Sequence, residues 1–209
     1  YEFPKHAGTQ HIYRNSQLNK KQQSFVYADW ALGQFMNWSQ YHSEYEKTIY
    51  IILGDHGYIH ESGNKDLSLD LSIYNVPCLI IAPGIQHKVI NRIASQIDVI
   101  PTLLPLLGGT FIHNSWGKNL LENSNSSDYA FISPSGVNHL MGLISDKYFL
   151  IYNFQSTNKL YSLSSLSNAI NVPLGENNST IKHTMEQFVS SFVKLGYYSL
   201  INYKCGVPK

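Results

Sequence analysis

The sequence predicts an α/β fold: a mainly parallel sheet flanked by helices, with a smaller antiparallel subdomain at the carboxyl-terminal end. Three observations carry that expectation. Residues 48–53 (TIYIIL) are apolar and rich in β-branched side chains, and the run breaks off at Gly54-Asp55-His56-Gly57. A second such run, residues 76–82 (VPCLIIA), stops at Pro83-Gly84. Continuous runs of this kind fit strands covered on both faces of a parallel sheet. Helical periodicity precedes them, and beyond about residue 110 the pattern changes to short strands.

The first 20 residues carry Pro4, Gly8 and Asn15 with no sustained period, and read as an ordered loop. From Gln22 to about Tyr45, Phe25, Ala28, Leu32, Phe35, Met36 and Trp38 recur at helical spacing and predict an amphipathic helix. Residues 61–70 read as a polar loop between the two apolar strands. Residues 95–108 (SQIDVIPTLLPLLG) predict a short helix with Asp98 as N-cap, Pro101 in the first turn and Gly108-Gly109 as the stop. The segments YAFIS, MGLIS, YFLIYNF and KLYSL, with a turn at Ser145-Asp146-Lys147, predict antiparallel hairpins on the edge of the main sheet. Residues 122–128 and 168–179 read as polar loops, and residues 180–195 as a last amphipathic helix. The expected division is one domain, with residues 1–110 as its α/β part and 111–209 as antiparallel strands and a final helix.

Composition narrows the function classes. A chain of 209 residues with 43% hydrophobic and only 14% charged residues has the material for a packed core and lacks the signature of disorder. The net charge is +1 and the Lys and Arg residues are scattered, so no basic stripe is present to hold a nucleic-acid backbone. No apolar stretch reaches the ~20 residues needed to cross a bilayer. Of the two cysteines, Cys78 sits within PCLIIAP and reads as a buried reduced thiol. The chain opens at Tyr1 without an initiator Met, which reads as a piece of a longer protein or a processed product.

Asp55 and His56 are the residues that carry chemistry. In open α/β sheets ligands gather at the carboxyl ends of strands. A strand that stops at two adjacent potential ligands between glycines lets a carboxylate and an imidazole reach one cation. That donor pair suits Mn or Zn better than Ca. His60, in the following loop, is near enough in sequence to reach a ligand held at this pair, as is Lys65, although a solvated loop is the plainer reading of both. His6 and His11 read as surface residues, and Asp29 and Asp98 as caps or buried hydrogen-bonding groups.

The run from Tyr27 through Gly57, YADWALGQFMNWSQYHSEYEKTIYIILGDHG, resembles the block of the sulfatase/alkaline-phosphatase superfamily in which a helix and an apolar strand end in Asp-His-Gly. IYNVPCLIIAPG, ASQIDVIPTLLPLLG with its Ile-Asp-x-x-Pro-Thr core, SWGKNLL, KYFLIYNF and KLYSL follow in the family's order. Together they resemble the carboxyl-terminal part of the catalytic domain in the lipoteichoic acid synthase and phosphoglycerol transferase branch, over about residues 1–165. The resemblance implies an alkaline-phosphatase-like fold with Asp55 and His56 as metal ligands. It also implies a Thr or Ser nucleophile and a further acidic ligand upstream of Tyr1, so no nucleophile is assigned within this chain. Asp-His, where calcium sulfatases have Asp-Asn, implies Mn or Zn and phosphoryl transfer through a covalent intermediate.

By the same resemblance the substrate is a phospholipid head group or an envelope glycan. The whole protein is then membrane-anchored on the extracytoplasmic face of a bacterial envelope. The alternatives are a sulfatase or phosphodiesterase-type hydrolase and, in a different class, a non-catalytic remnant or binding domain. With two ligands alone the chain is expected to bind metal weakly and to show no turnover.

Overall fold

The computed structural model describes residues 4–57, 71–122, 128–133, 139–163, 170–173 and 178–202. The chain divides into two compact units, one formed by Tyr1–Leu53 with Cys78–Gln86, the other by Gly54–Pro77 with His87–Lys209.

The first unit holds a short helix α1 (Gln10–Tyr13), a long helix α2 (Lys20–Ser39), and strands β1 (Tyr50–Leu53) and β2 (Cys78–Ile81). A reciprocal cap starts α2: the Asn19 side chain accepts from the Gln22 amide and the Gln22 side chain accepts from the Asn19 amide, both at 2.9 Å. The helix begins two residues earlier than the periodicity indicates and stops at Ser39, short of Tyr45. The buried Ser39 hydroxyl donates back to the Met36 carbonyl at 2.8 Å, a local bond that competes with continued helix. Phe35 of α2 meets the Tyr50 ring of β1 edge-on, with centroids 6.1 Å apart.

β1 and β2 pair with each other antiparallel, Tyr50 opposite Ile81 and Leu53 opposite Cys78. This corrects the parallel arrangement expected of these two strands. An antiparallel neighbour needs only a return of the chain, whereas a parallel one needs a crossover connection. The burial expectation is corrected as well, because Leu53, Cys78 and Leu79 are exposed. The Cys78 thiol is free, and partial desolvation raises its pKa, which keeps it in the thiol form.

The second unit is built on a five-stranded antiparallel sheet in sequence order: β3 (Ala130–Ile132), β4 (Leu140–Ile144), β5 (Tyr148–Asn153), β6 (Lys159–Leu163) and β7 (Ile170–Pro173). Among the described residues it forms the smaller antiparallel subdomain expected at the carboxyl-terminal end, as a sheet of its own. The β4–β5 turn closes where expected. The Ser145 amide donates to the Tyr148 carbonyl at 2.8 Å, and the Tyr148 amide donates to the Ser145 hydroxyl at 3.1 Å. β7 falls inside a segment read as loop. Its Ile170-Asn171-Val172 alternation is a strand pattern masked by the surrounding Asn residues, and Pro173 is tolerated at an edge.

Successive residues of β5 serve opposite faces. Phe149 and Ile151 join Leu71, Ile132 and Tyr161 on one side, while Leu150 joins Leu143, Leu160, Met185 and Val189 on the other. Met185 and Val189 come from α4 (Ser179–Ile201), which covers that second face. This helix runs six residues past its expected end, through Gly196, which packs against Trp116. A Cβ there would lie 2.7 Å from the Trp116 ring.

Residues 95–108 form a 3-10 turn (Gln96–Asp98), helix α3 (Val99–Leu103) and another 3-10 turn (Leu104–Leu107). Asp98 holds the N-cap position of α3 as expected, but its side chain makes no cap bond to that helix, and Ser95 caps the 3-10 turn that leads in. Asp98 sits three residues on, and its carboxylate accepts from the Ser95 amide at 2.8 Å.

Candidate metal centre

Asp55 and His56 follow β1 in sequence and belong to the second unit. Two backbone bonds hold the short turn that carries them. The Gly54 amide donates to the Pro77 carbonyl at 3.2 Å, and the Gly57 amide donates to the Ile73 carbonyl at 2.6 Å. Only glycine fits at position 57, because a Cβ there would collide with the backbone of Ser72 and Ile73.

Within the turn, the His56 amide donates to Asp55 Oδ1 at 2.9 Å. The His56 ring bonds through Nδ1 to the Gly57 carbonyl oxygen, also at 2.9 Å. A carbonyl only accepts, so Nδ1 carries the proton and the lone pair of the neutral ring lies on Nε2. That nitrogen is 3.7 Å from Asp55 Oδ2. Two donors each ~2.0–2.2 Å from one divalent ion lie about 3–4 Å apart, so the pair fits a shared cation. Both side chains are open, His56 at 75% and Asp55 at 90% exposure. Among the described residues no group of three or more His, Cys, Asp and Glu side chains is gathered to hold a metal.

His60 and Lys65 lie outside the described residues. His6 is exposed; it accepts the Gly8 amide at 3.2 Å through Nδ1 and sets its ring against Trp30, a local structural role. His11 is exposed. Asp29 is exposed in the middle of α2, so it neither caps the helix nor sits buried as expected. A groove of about 420 Å³ lined by Pro101, Leu104, Phe111, His113, Asn119 and Glu122 includes neither Asp55 nor His56.

Around the candidate pair, sequence reasoning missed Gln96. Its side-chain amide donates to the Gly54 carbonyl at 3.0 Å and to the Asp55 carbonyl at 3.1 Å. Position 96 is fixed in turn by Asp98, which is 3% exposed and whose second oxygen accepts from the Lys118 amide at 2.8 Å. Thr102 extends the tie. Its hydroxyl donates to the Asp98 carbonyl at 2.7 Å and accepts from the Leu120 amide at 3.0 Å. The segments SQIDVIPT and SWGKNLL, far apart as text, are one hydrogen-bonded knot.

A second anchor, also unforeseen, secures the far end of SWGKNLL. Arg92 holds Asp128 through two bonds of 2.9 Å and donates to the Leu120 and Glu122 carbonyls at 3.3 and 2.6 Å. Lys118 Nζ lies 2.8 Å from the same carboxylate. The Arg92 hydrogen bonds, aided by Lys118 and opposed by burial, lower the Asp128 pKa to about 2. The only sequence signal for this anchor was an acidic residue ending a polar loop.

The fold is of the alkaline-phosphatase type, α/β with a small antiparallel subdomain. A solved structure of an alkaline phosphatase superfamily protein from Vibrio parahaemolyticus matches 95% of this chain with a TM-score of 0.74, at 23% identity over 47% of its own length. The sulfatase family model matches residues 1–109, more than half of the sequence, and the chain belongs to that family. Lipoteichoic acid synthase 2 of Bacillus subtilis is 29% identical over 139 residues, 61% of this chain and 21% of its own length. Arylsulfatase K of Bos taurus is 35% identical over 83 residues, 38% of this chain and 15% of its own length. The chain thus spans about a fifth or less of these two relatives.

Proposed function

We propose that Asp55 and His56 are two ligands of a divalent metal in a phosphoryl-group transferase. This enzyme moves phosphoglycerol or a similar alcohol phosphate from a phospholipid head group to an acceptor in the cell envelope. The observation that carries the reading is Asp55 Oδ2 lying 3.7 Å from His56 Nε2, while Asp55 Oδ1 and His56 Nδ1 are bonded within the turn. One carboxylate oxygen and one imidazole nitrogen favour Mn or Zn over Ca.

When bound, the ion supplies Lewis-acid polarisation of the phosphoryl group and a more nucleophilic hydroxyl. Asp55 contributes negative charge and His56 a neutral donor, while the Gly57 carbonyl fixes the ring tautomer. The transferred phosphorus leaves its alcohol for a Thr or Ser hydroxyl expected upstream of Tyr1, and is then passed to the acceptor alcohol. The similarity to lipoteichoic acid synthase 2 supports an envelope polymer as the acceptor, and an extracytoplasmic, membrane-anchored setting is part of the same proposal.

The test uses the whole protein that carries this chain, assayed on a phosphodiester and on a sulfate ester with Mn, Zn or Ca. Expected are Mn- or Zn-dependent turnover of the phosphodiester and a loss of at least about 100-fold in Asp55→Ala and His56→Ala, since even indirect partners of a metal are worth 10–100-fold. Calcium-dependent turnover of the sulfate ester, or full activity in either variant, overturns the reading. The second reading, a hydrolase, is supported in its sulfate-ester form by the arylsulfatase K match, and that form predicts the calcium result.

A further inference from the structure

We infer that Gln96 is a positioning residue for the Asp55–His56 pair, an inference that rests on the metal reading above. Side-chain bonds to two consecutive carbonyls, Gly54 and Asp55, place its amide at the turn from which both proposed ligands project. The Asp55 carbonyl belongs to the peptide plane that joins Asp55 to His56. The tilt of that plane sets the angle between the two side chains, and with it the approach of Oδ2 to Nε2.

The remaining backbone bonds of the turn act at its ends. Gly54 is tied to Pro77 and Gly57 to Ile73, and neither bond touches the central peptide. The His56 amide and ring bonds are local to the turn itself and move with it. Gln96 therefore supplies a reference from outside the turn. It is well placed to do so, because the buried Asp98 fixes the backbone around it through the Ser95 and Lys118 amides. The arrangement gives Gln-x-Asp in this chain a division of labour: the aspartate locks the 3-10 turn, and the exposed glutamine transmits that rigidity to the pair.

The test compares the full 209-residue chain with Gln96→Met, which keeps length and removes both donors, and with Gln96→Glu, which keeps shape but replaces the donors by oxygens. Two readouts are taken by NMR: exchange of the His56 amide without metal, and the Mn concentration that broadens the His56 ring signals. Losing hydrogen bonds of ordinary net strength predicts roughly 3- to 10-fold faster exchange in both variants and a roughly 3- to 10-fold higher Mn requirement in Gln96→Met. Unchanged thermal unfolding in Gln96→Met, beside those losses, separates positioning from general stability.

Broadening in the wild type that Gln96→Met leaves unchanged overturns the role of Gln96 while the metal reading stands. Faster exchange with an unchanged Mn requirement does the same. Absence of His56 broadening in the wild type overturns the metal reading, and this inference with it.

Discussion

Replacing Asp128 by Asn tests how much of the second unit depends on one carboxylate. Asp128 accepts two bonds from Arg92 and lies 2.8 Å from Lys118 Nζ, with its side chain 17% exposed. A carboxyl held at about 2 instead of 3.8 corresponds to about 2.5 kcal/mol, at ~1.4 kcal/mol per pH unit. Solvent at the rim screens part of that, leaving about 1–2 kcal/mol as the expected loss in Asp128→Asn at neutral pH. The folded-state pKa is the lower one, so this stability is present above 3.8 and disappears as pH falls through about 2. Urea unfolding of both proteins should therefore show a gap near neutral pH that narrows between these values and closes below them. A gap under about 0.5 kcal/mol near neutral pH, or one that persists in acid, refutes the assignment of the anchor to this charge.

Asp98→Ala strands the Ser95 and Lys118 amides in a buried site, and should cost about 2–4 kcal/mol in chemical denaturation; a loss below about 1 kcal/mol would show that water replaces the carboxylate. Leu150→Ala empties the space between Leu143, Leu160, Met185 and Val189 and should cost about 2–5 kcal/mol by the same measurement, with a smaller loss showing that α4 settles into the gap.

Long periodic and apolar segments were legible because their signals are local. The helix at residues 20–39, the hairpin at Ser145 and the strand KLYSL each follow from spacing and turn chemistry that neighbouring residues supply. Pairing direction was not legible. The run TIYIIL suggested a strand covered twice in a parallel sheet, yet β1 pairs antiparallel and Leu53 is exposed. YFLIYNF has the same continuous character and does lie between two covered faces, but in an antiparallel sheet. An apolar run reports a tendency to be buried on both sides and is silent about the neighbour's direction.

The candidate site divides in the same way. The family was legible in the ordered blocks of sequence, and Asp55 and His56 stood out as the residues to test because two adjacent ligand types between glycines after an apolar strand form a contiguous pattern. The folded chain alone shows how the atoms of that pair bond within the turn and, among the described residues, which partners hold it. Gln96 lies 41 residues from Asp55, and Arg92 lies 36 from Asp128. Bonds across such separations leave no periodic trace in sequence, since they depend on where the folded backbone brings carbonyls and carboxylates together.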